Sequence, residues 1–400
     1  MEQNPIAAAE LTQPVSAPVQ TEVSEKTAQI KRVYNRAGLG LLAEIGIFQQ
    51  IGSVVLVFAA VLCALVALLP RIKNSDFNFR GIEDIFTALK SSGAIGWAVL
   101  AYALGMSIGM TVGLIVMRKI LTEKAPIEKK NLTLGQFLLI VMAAYGLWGL
   151  GIIIGNFPSF FGVEEEGSIE QLLEGLKYER LPLYVYTVIG APVFEELVCR
   201  KFLLDRLNPY GEGYAVAVTG LLFGLIHGNS QQFFLAVLLG ALFAVVYLRT
   251  GRIIYTMILH CIINLTATFP EILKMFDIDI EAGFMIGILV LSFIGWIVIL
   301  AARKHLPAMP KGTGVTGATR AVWKNVGMMV ARILWLVSLV SMDLMLMVMS
   351  IISSQSALPL LRLIPCGLAI LTVLLLPKWT TRYERKFLSD DFAVETEQAE

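Results

Sequence analysis

The chain has 400 residues, 56% of them hydrophobic and only 16% charged, with a mean hydropathy of +0.72 and a formal net charge of +1. Soluble domains carry about a quarter charged residues, so this composition excludes an ordinary soluble protein and indicates a polytopic membrane protein. A net charge so near zero gives no global field for nucleic acid. The four cysteines, Cys63, Cys199, Cys261 and Cys366, all fall in apolar segments and read as small buried hydrophobes, not as a disulfide framework.

In chain order, residues 1–43 read as a disordered cytoplasmic tail, polar at first and ending in Lys31, Arg32 and Arg36 ahead of the first span. No early hydrophobic run is present, so no cleavable signal peptide is expected. A membrane helix needs ~20 apolar residues. Ten segments qualify: 48–69, 94–117, 136–158, 182–204, 213–228, 232–249, 252–269, 282–302, 332–353 and 357–377, the fifth and seventh being short. The expected fold is an all-α polytopic transmembrane bundle of about ten spans. It divides into accessory helices over 44–160, a four-helix core over 181–269, accessory helices over 281–377 and a cytoplasmic tail over 378–400.

Lys and Arg cluster in alternate loops, at 118–130, 201–206, 249–252, 303–324 and 378–386. The opposite loops are short or acidic, notably Glu164 to Glu179. By the positive-inside rule both termini are expected in the cytoplasm, in a multi-pass cell-membrane protein that would lie in the plasma membrane of a bacterium. Glycines recur at four-residue spacing: Gly105, Gly109 and Gly113; Gly151 and Gly155; Gly220, Gly224 and Gly228. Such spacing lets helices approach closely in lipid.

Charged and polar groups at membrane depth are costly and mark function. Glu195 and Glu196 are adjacent in the fourth segment, so on a helix they point about 100° apart and cannot share one task. Glu196 precedes Arg200 by four residues, the spacing of an intrahelical ion pair. That leaves Glu195 to face the interior as a base. Pro192 lacks a donor and should loosen the helix just before it. His227 ends Gly220-Leu-Leu-Phe-Gly-Leu-Ile-His227, with Phe223 one turn beneath its ring. His260 and Asn264 share one face of the seventh segment, suited to oxyanion stabilisation or to metal ligation. Each motif alone has a plain structural account, as a snorkelling acid, a core histidine or interhelical glue. Together they supply the base, partner and oxyanion donors needed to set water against an amide. Asp343 and Arg362 are further intramembrane charges, with no role assigned by the sequence.

The ordered set Glu-Glu-x-x-x-Arg, Phe-x-x-x-His and His-x-x-x-Asn on successive membrane helices resembles the CPBP intramembrane protease family. That family, also called Abi, includes the CAAX prenyl proteases. The likeness covers roughly residues 182–268. It implies an endopeptidase acting on a membrane-associated protein or peptide, with Glu195 and His227 polarising the attacking water. His260 and Asn264 would hold the oxyanion; Glu196, Arg200 and Phe223 would support. The family is often called metalloproteases, and both Zn²⁺ and a metal-free Glu/His mechanism stay open because no His-Glu-x-x-His is present. Two other functions fit the same residues. One is a non-catalytic membrane scaffold or regulator. The other is a proton-coupled transporter running through Glu195, His227 and Asp343, although no internal repeat of the transporter kind is visible. One tension is internal to the sequence: the fifth segment places His227 ~21 Å along its helix, at the far side of the bilayer from a Glu195 set near the cytoplasmic end.

Overall fold

The computed structural model describes residues 28–44, 94–121, 127–162, 177–302, 323–354 and 358–397, with isolated positions near 24 and between 46 and 69. Every regular element among them is helical. The helices are α1 (residues 28–44), α2 (Ala94–Ile120), α3 (Leu134–Gly155), α4 (Tyr178–Leu207), α5 (Glu212–Leu225), α6 (Ser230–Thr250), α7 (Ile253–Lys274), α8 (Glu281–Ala302), α9 (Val326–Ser354) and α10 (Leu363–Glu397). Eight of them, α2 to α4 and α6 to α10, are long and apolar enough to cross a bilayer. This is an all-helical, multi-pass membrane protein. The predicted span over 48–69 lies largely outside the described residues.

Two expectations are corrected. The segment over 213–228 is not a span: α5 stops after 14 residues at Leu225. The chain then turns through Gly228 at φ +68°, a conformation open to glycine at little cost, and returns as α6. The seventh segment, by contrast, runs on through Pro270 to Lys274 as a full span. The other correction concerns the tail drawn over residues 1–43. Residues 28–44 are helical, and Ile30, Val33, Tyr34, Ala37, Leu41 and Glu44 lie buried along one face. The three-to-four spacing was there to read, but charged neighbours masked it. Asn325 donates to the Lys31 carbonyl at 2.6 Å, and Asn35 accepts from the Gly327 amide at 2.8 Å, so the start of α9 holds α1 in place.

Small residues set the closest crossings. A methyl on Gly151 or Gly155 would strike the α6 backbone at Leu235 and Gln231. One on Gly146 of α3 would meet Gly295 of α8, and the reverse. Helix α3 is therefore wedged between α6 and α8 with backbones in contact, as small-residue packing in lipid requires. At one end of the core, Arg249 pairs with Glu212 at 2.7 Å and Lys201 with Asp205 at 3.0 Å, where Tyr247 also donates to Asp205 at 2.7 Å. At the other end, Lys177 meets Asp277 and Arg180 meets Glu271, tying the start of α4 to the end of α7. The apolar bodies of these helices fill the space between the two clamped ends.

Candidate active site

Helix α4 carries the site and is not a uniform α-helix. Its hydrogen bonding widens to π register over Tyr186–Gly190, returns to α over Ala191–Glu196, and widens again over Leu197–Leu204. π segments favour functional sites because they leave backbone groups free and re-aim side chains. The first has a specific cause. The Ala191 amide bonds to the Tyr186 carbonyl, five residues back. In that register the Thr187 carbonyl falls to residue 192, and Pro192 has no N–H to give. Asn264 of α7 fills the gap, its Nδ2 donating to the Thr187 carbonyl at 2.8 Å. Sequence reasoning foresaw the loosening at Pro192 and missed the partner, 77 residues away.

This pairing is directly testable. Asn264→Leu leaves a part-buried carbonyl unpaired, at a cost of up to about 1–3 kcal/mol. Pro192→Ala restores the missing donor, so the Asn264→Leu, Pro192→Ala double variant should regain part of that loss. Thermal denaturation in detergent measures both, and additive destabilisation would disprove the tether.

The adjacent glutamates separate as expected. Glu196 is sealed, with no exposed surface, and faces the equally buried Arg200, Oε2 to Nε 3.1 Å. Arg200 donates Nη2 to the Gly240 carbonyl at 3.1 Å and lies between two rings, its guanidinium carbon 5.0 Å from the centroid of Phe223 and 5.4 Å from that of Phe243. Gly240 makes room for this: a methyl there would strike the Phe223 ring. The other oxygen of Glu196 meets His260 Nδ1 at 3.2 Å. An ionised carboxylate only accepts, so Nδ1 carries the proton and donates. His260 Nε2 is then turned toward Glu195 Oε2 at 3.8 Å, too long for a direct hydrogen bond. The Glu195 side chain keeps 18% of its surface exposed.

Phe223 is the hub. Its ring stands edge-on to both imidazoles, 5.1 Å from His227 and 5.6 Å from His260 between centroids. The sequence placed Phe223 beneath His227; its contacts with His260 and Arg200 depend on how α5, α4 and α7 cross and could not be read in advance. His227 lies just past the end of α5, its Nδ1 2.7 Å from the Phe223 carbonyl. A carbonyl cannot donate, so Nδ1 bears the hydrogen and Nε2 presents a lone pair.

The depth tension disappears. Helix α4 extends to Leu207 and α5 begins at Glu212, joined by a short connection. Counted from that connection, Glu195 lies 12 residues before Leu207 and His227 15 residues after Glu212, so the two reach comparable depths from the same side. Span bounds taken from composition place Glu195 too near the membrane edge.

Glu44 was not foreseen. It is 1% exposed, packs where a methyl on Gly113 of α2 would sit, and lies within electrostatic reach of Glu195. The available signal was its position on the buried stripe of α1, three residues after Leu41 and seven after Ala37. Asp343 and Arg362 are likewise buried.

The donor set does not fit a metal ion. Among the described residues no three His, Cys, Asp or Glu side chains are placed to hold one. His260 is committed to Glu196 through Nδ1, which leaves only its Nε2 to offer a ligand. The Zn²⁺ alternative therefore gains no support from the arrangement.

Residues 177–266 match the family model described as "Type II CAAX prenyl endopeptidase Rce1-like". Over 183 residues the chain is 25% identical to the "Putative membrane peptidase YdiL" of Bacillus subtilis (strain 168), covering 45% of this chain and 71% of that protein. No solved structure matches significantly. The matched segment holds Glu195, Glu196, Arg200, Phe223, His227, His260 and Asn264. Over residues 177–266, within a multi-pass membrane protein, the chain is thus similar to the Rce1-like endopeptidases.

Proposed function

We propose that the protein is an intramembrane endopeptidase that hydrolyses a peptide bond in a membrane-associated protein or peptide, using water activated by Glu195 and His227. One observation carries this reading above the others: two neighbouring carboxylates have opposite surroundings. Glu196 is shut into a pair with Arg200, while Glu195 keeps 18% of its side chain exposed and faces the His260 imidazole at 3.8 Å. A purely structural pair would not leave one acid exposed within the bilayer.

In this mechanism water oxygen attacks the carbonyl carbon and its proton passes to Glu195, with His227 Nε2 as the second acceptor nearby. The oxyanion is held by the second N–H of Asn264 and, when the ring is protonated, by His260 Nε2–H, with Nδ1–H staying on Glu196. Collapse breaks the C–N bond, and the proton returns to the leaving amine. The products are a new carboxylate and a new amine. Glu196 and Arg200 hold His260 in one tautomer and take no part in bond changes. The family's name suggests prenylated C-terminal sequences as one substrate class. Neither rival, scaffold or transporter, accounts for the sealed-and-open pair.

The test is made on the full chain in lipid vesicles. Two fluorogenic peptides are offered, one anchored by a prenylated cysteine and one by a membrane helix. In ¹⁸O-labelled water, cleavage should yield a fragment whose new C-terminal carboxylate carries one labelled oxygen, read by mass spectrometry. Intact peptides of both kinds, or cleavage without label, would count against hydrolysis.

A further inference from the structure

We infer that Asp343 is a positioning residue for His227, and that this is what the accessory helices α9 and α10 contribute to the core. The inference rests on the hydrolytic role given to His227 above.

His227 does not belong to a regular helix. It stands in the four-residue turn between α5 and α6, so its direction depends on how that turn is held. Part of the hold is local. The His227 amide donates to the Gly224 carbonyl at 3.3 Å, and that of Gly228 to Leu225 at 3.1 Å. Asn229 caps α6, accepting from the Gln232 amide at 2.9 Å, and donates its Nδ2 to the His227 carbonyl at 2.9 Å. A two-sided hold on one short loop would still leave it free to swing as a unit.

The anchor comes from 113 residues away. Asp343 of α9 accepts from the Ser230 amide, Oδ1 at 3.1 Å, with both residues buried. That amide is one of the unsatisfied donors in the first turn of α6, and an acid there is favoured by the helix field as well. Asp343 also engages the Ser230 hydroxyl, Cys366 and the Arg362 charge, the last two on or next to α10. One turn-and-a-half earlier on α9, the Ser338 hydroxyl lies 3.5 Å from where a methyl on Gly228 would sit. Helix α9 therefore touches the turn on both sides of Asn229, one residue and three residues after His227. Since His227 Nδ1 is fixed to its own helix by the Phe223 carbonyl, moving the turn moves Nε2. Misplacement by about 1 Å can cost 10²-fold in rate.

Two substitutions separate the tether from the charge. Asp343→Asn keeps an acceptor for the Ser230 amide and removes the charge; Asp343→Leu removes both. In the vesicle assay Asp343→Leu should lower kcat by about 10²-fold with KM unchanged, whereas Asp343→Asn should stay within about threefold of the parent. In a His227→Ala background, Asp343→Leu should cause no further loss. A readout independent of activity uses the fact that the chain has only three histidines. With isotope-labelled histidine, the His227 ring resonances should shift in Asp343→Leu and hold their place in Asp343→Asn. Unmoved resonances in Asp343→Leu, equal damage from both substitutions, or further loss in the His227→Ala background would overturn the inference. If the parent shows no cleavage at all, the proposed hydrolysis fails, and the resonances still decide whether Asp343 holds His227.

Discussion

Glu196→Ala is expected to unfold the core and not merely to slow it. The substitution leaves Arg200, which has no exposed surface, as an uncompensated charge between two phenylalanine rings. Breaking one side of such a pair costs about 3–5 kcal/mol, a large part of the stability of most proteins. It also removes the acceptor that fixes the His260 tautomer and one partner of Thr256. The signature is a fall in the thermal midpoint in detergent, with loss of extractable folded protein. Removing both charges is a different matter. Glu196→Met with Arg200→Met replaces the pair by apolar side chains of similar length, and such replacements are often neutral or stabilising. The double variant should therefore be more stable than Glu196→Ala alone, while His260, released from Nδ1, loses its fixed orientation and activity stays low. A Glu196→Ala protein as stable as the parent would show that the pair is not what closes the core.

That pair was legible in the sequence because it is local: four residues on one helix bring the charges together whatever surrounds them. The same holds for Phe223 under His227. What sequence could not give was anything that depends on helices meeting. The contact of Phe223 with His260 needs the crossing of α5 and α7. The role of Asn264 at Thr187 needs both Pro192 and a π register, and no periodicity in the chain announces one. Helix α1 was missed for a related reason. Its buried stripe is interleaved with Lys31, Arg32 and Arg36, so it resembles a polar tail until the start of α9 and the glycine face of α2 are present to cover it. The misjudged depth of Glu195 came from helix ends, which composition defines poorly because lysines and arginines snorkel.

Glu195→Gln is expected to abolish proteolysis with little change in stability. Glutamine keeps the shape and one acceptor but cannot take a proton from water, and loss of a general base typically costs 10²–10⁴-fold. Because Glu195 is partly exposed and its contact with His260 Nε2 is as long as 3.8 Å, the thermal midpoint should stay close to that of the parent. This contrasts with Glu196, one residue away, where the fold is the first casualty. His227→Ala should cause a loss of similar size. If the two groups serve the same water, the Glu195→Gln, His227→Ala double variant should be no worse than the more damaging single variant, since residues acting as a unit are strongly non-additive. Multiplying losses would mean that each acts on a separate step. The same variant separates the rival readings. A scaffold keeps its cellular phenotype with Gln at position 195, and a transporter would show proton-coupled uptake in vesicles that the substitution removes. A hydrolase shows neither, and instead leaves its anchored peptide uncut while the bundle around the Phe223 ring stays folded.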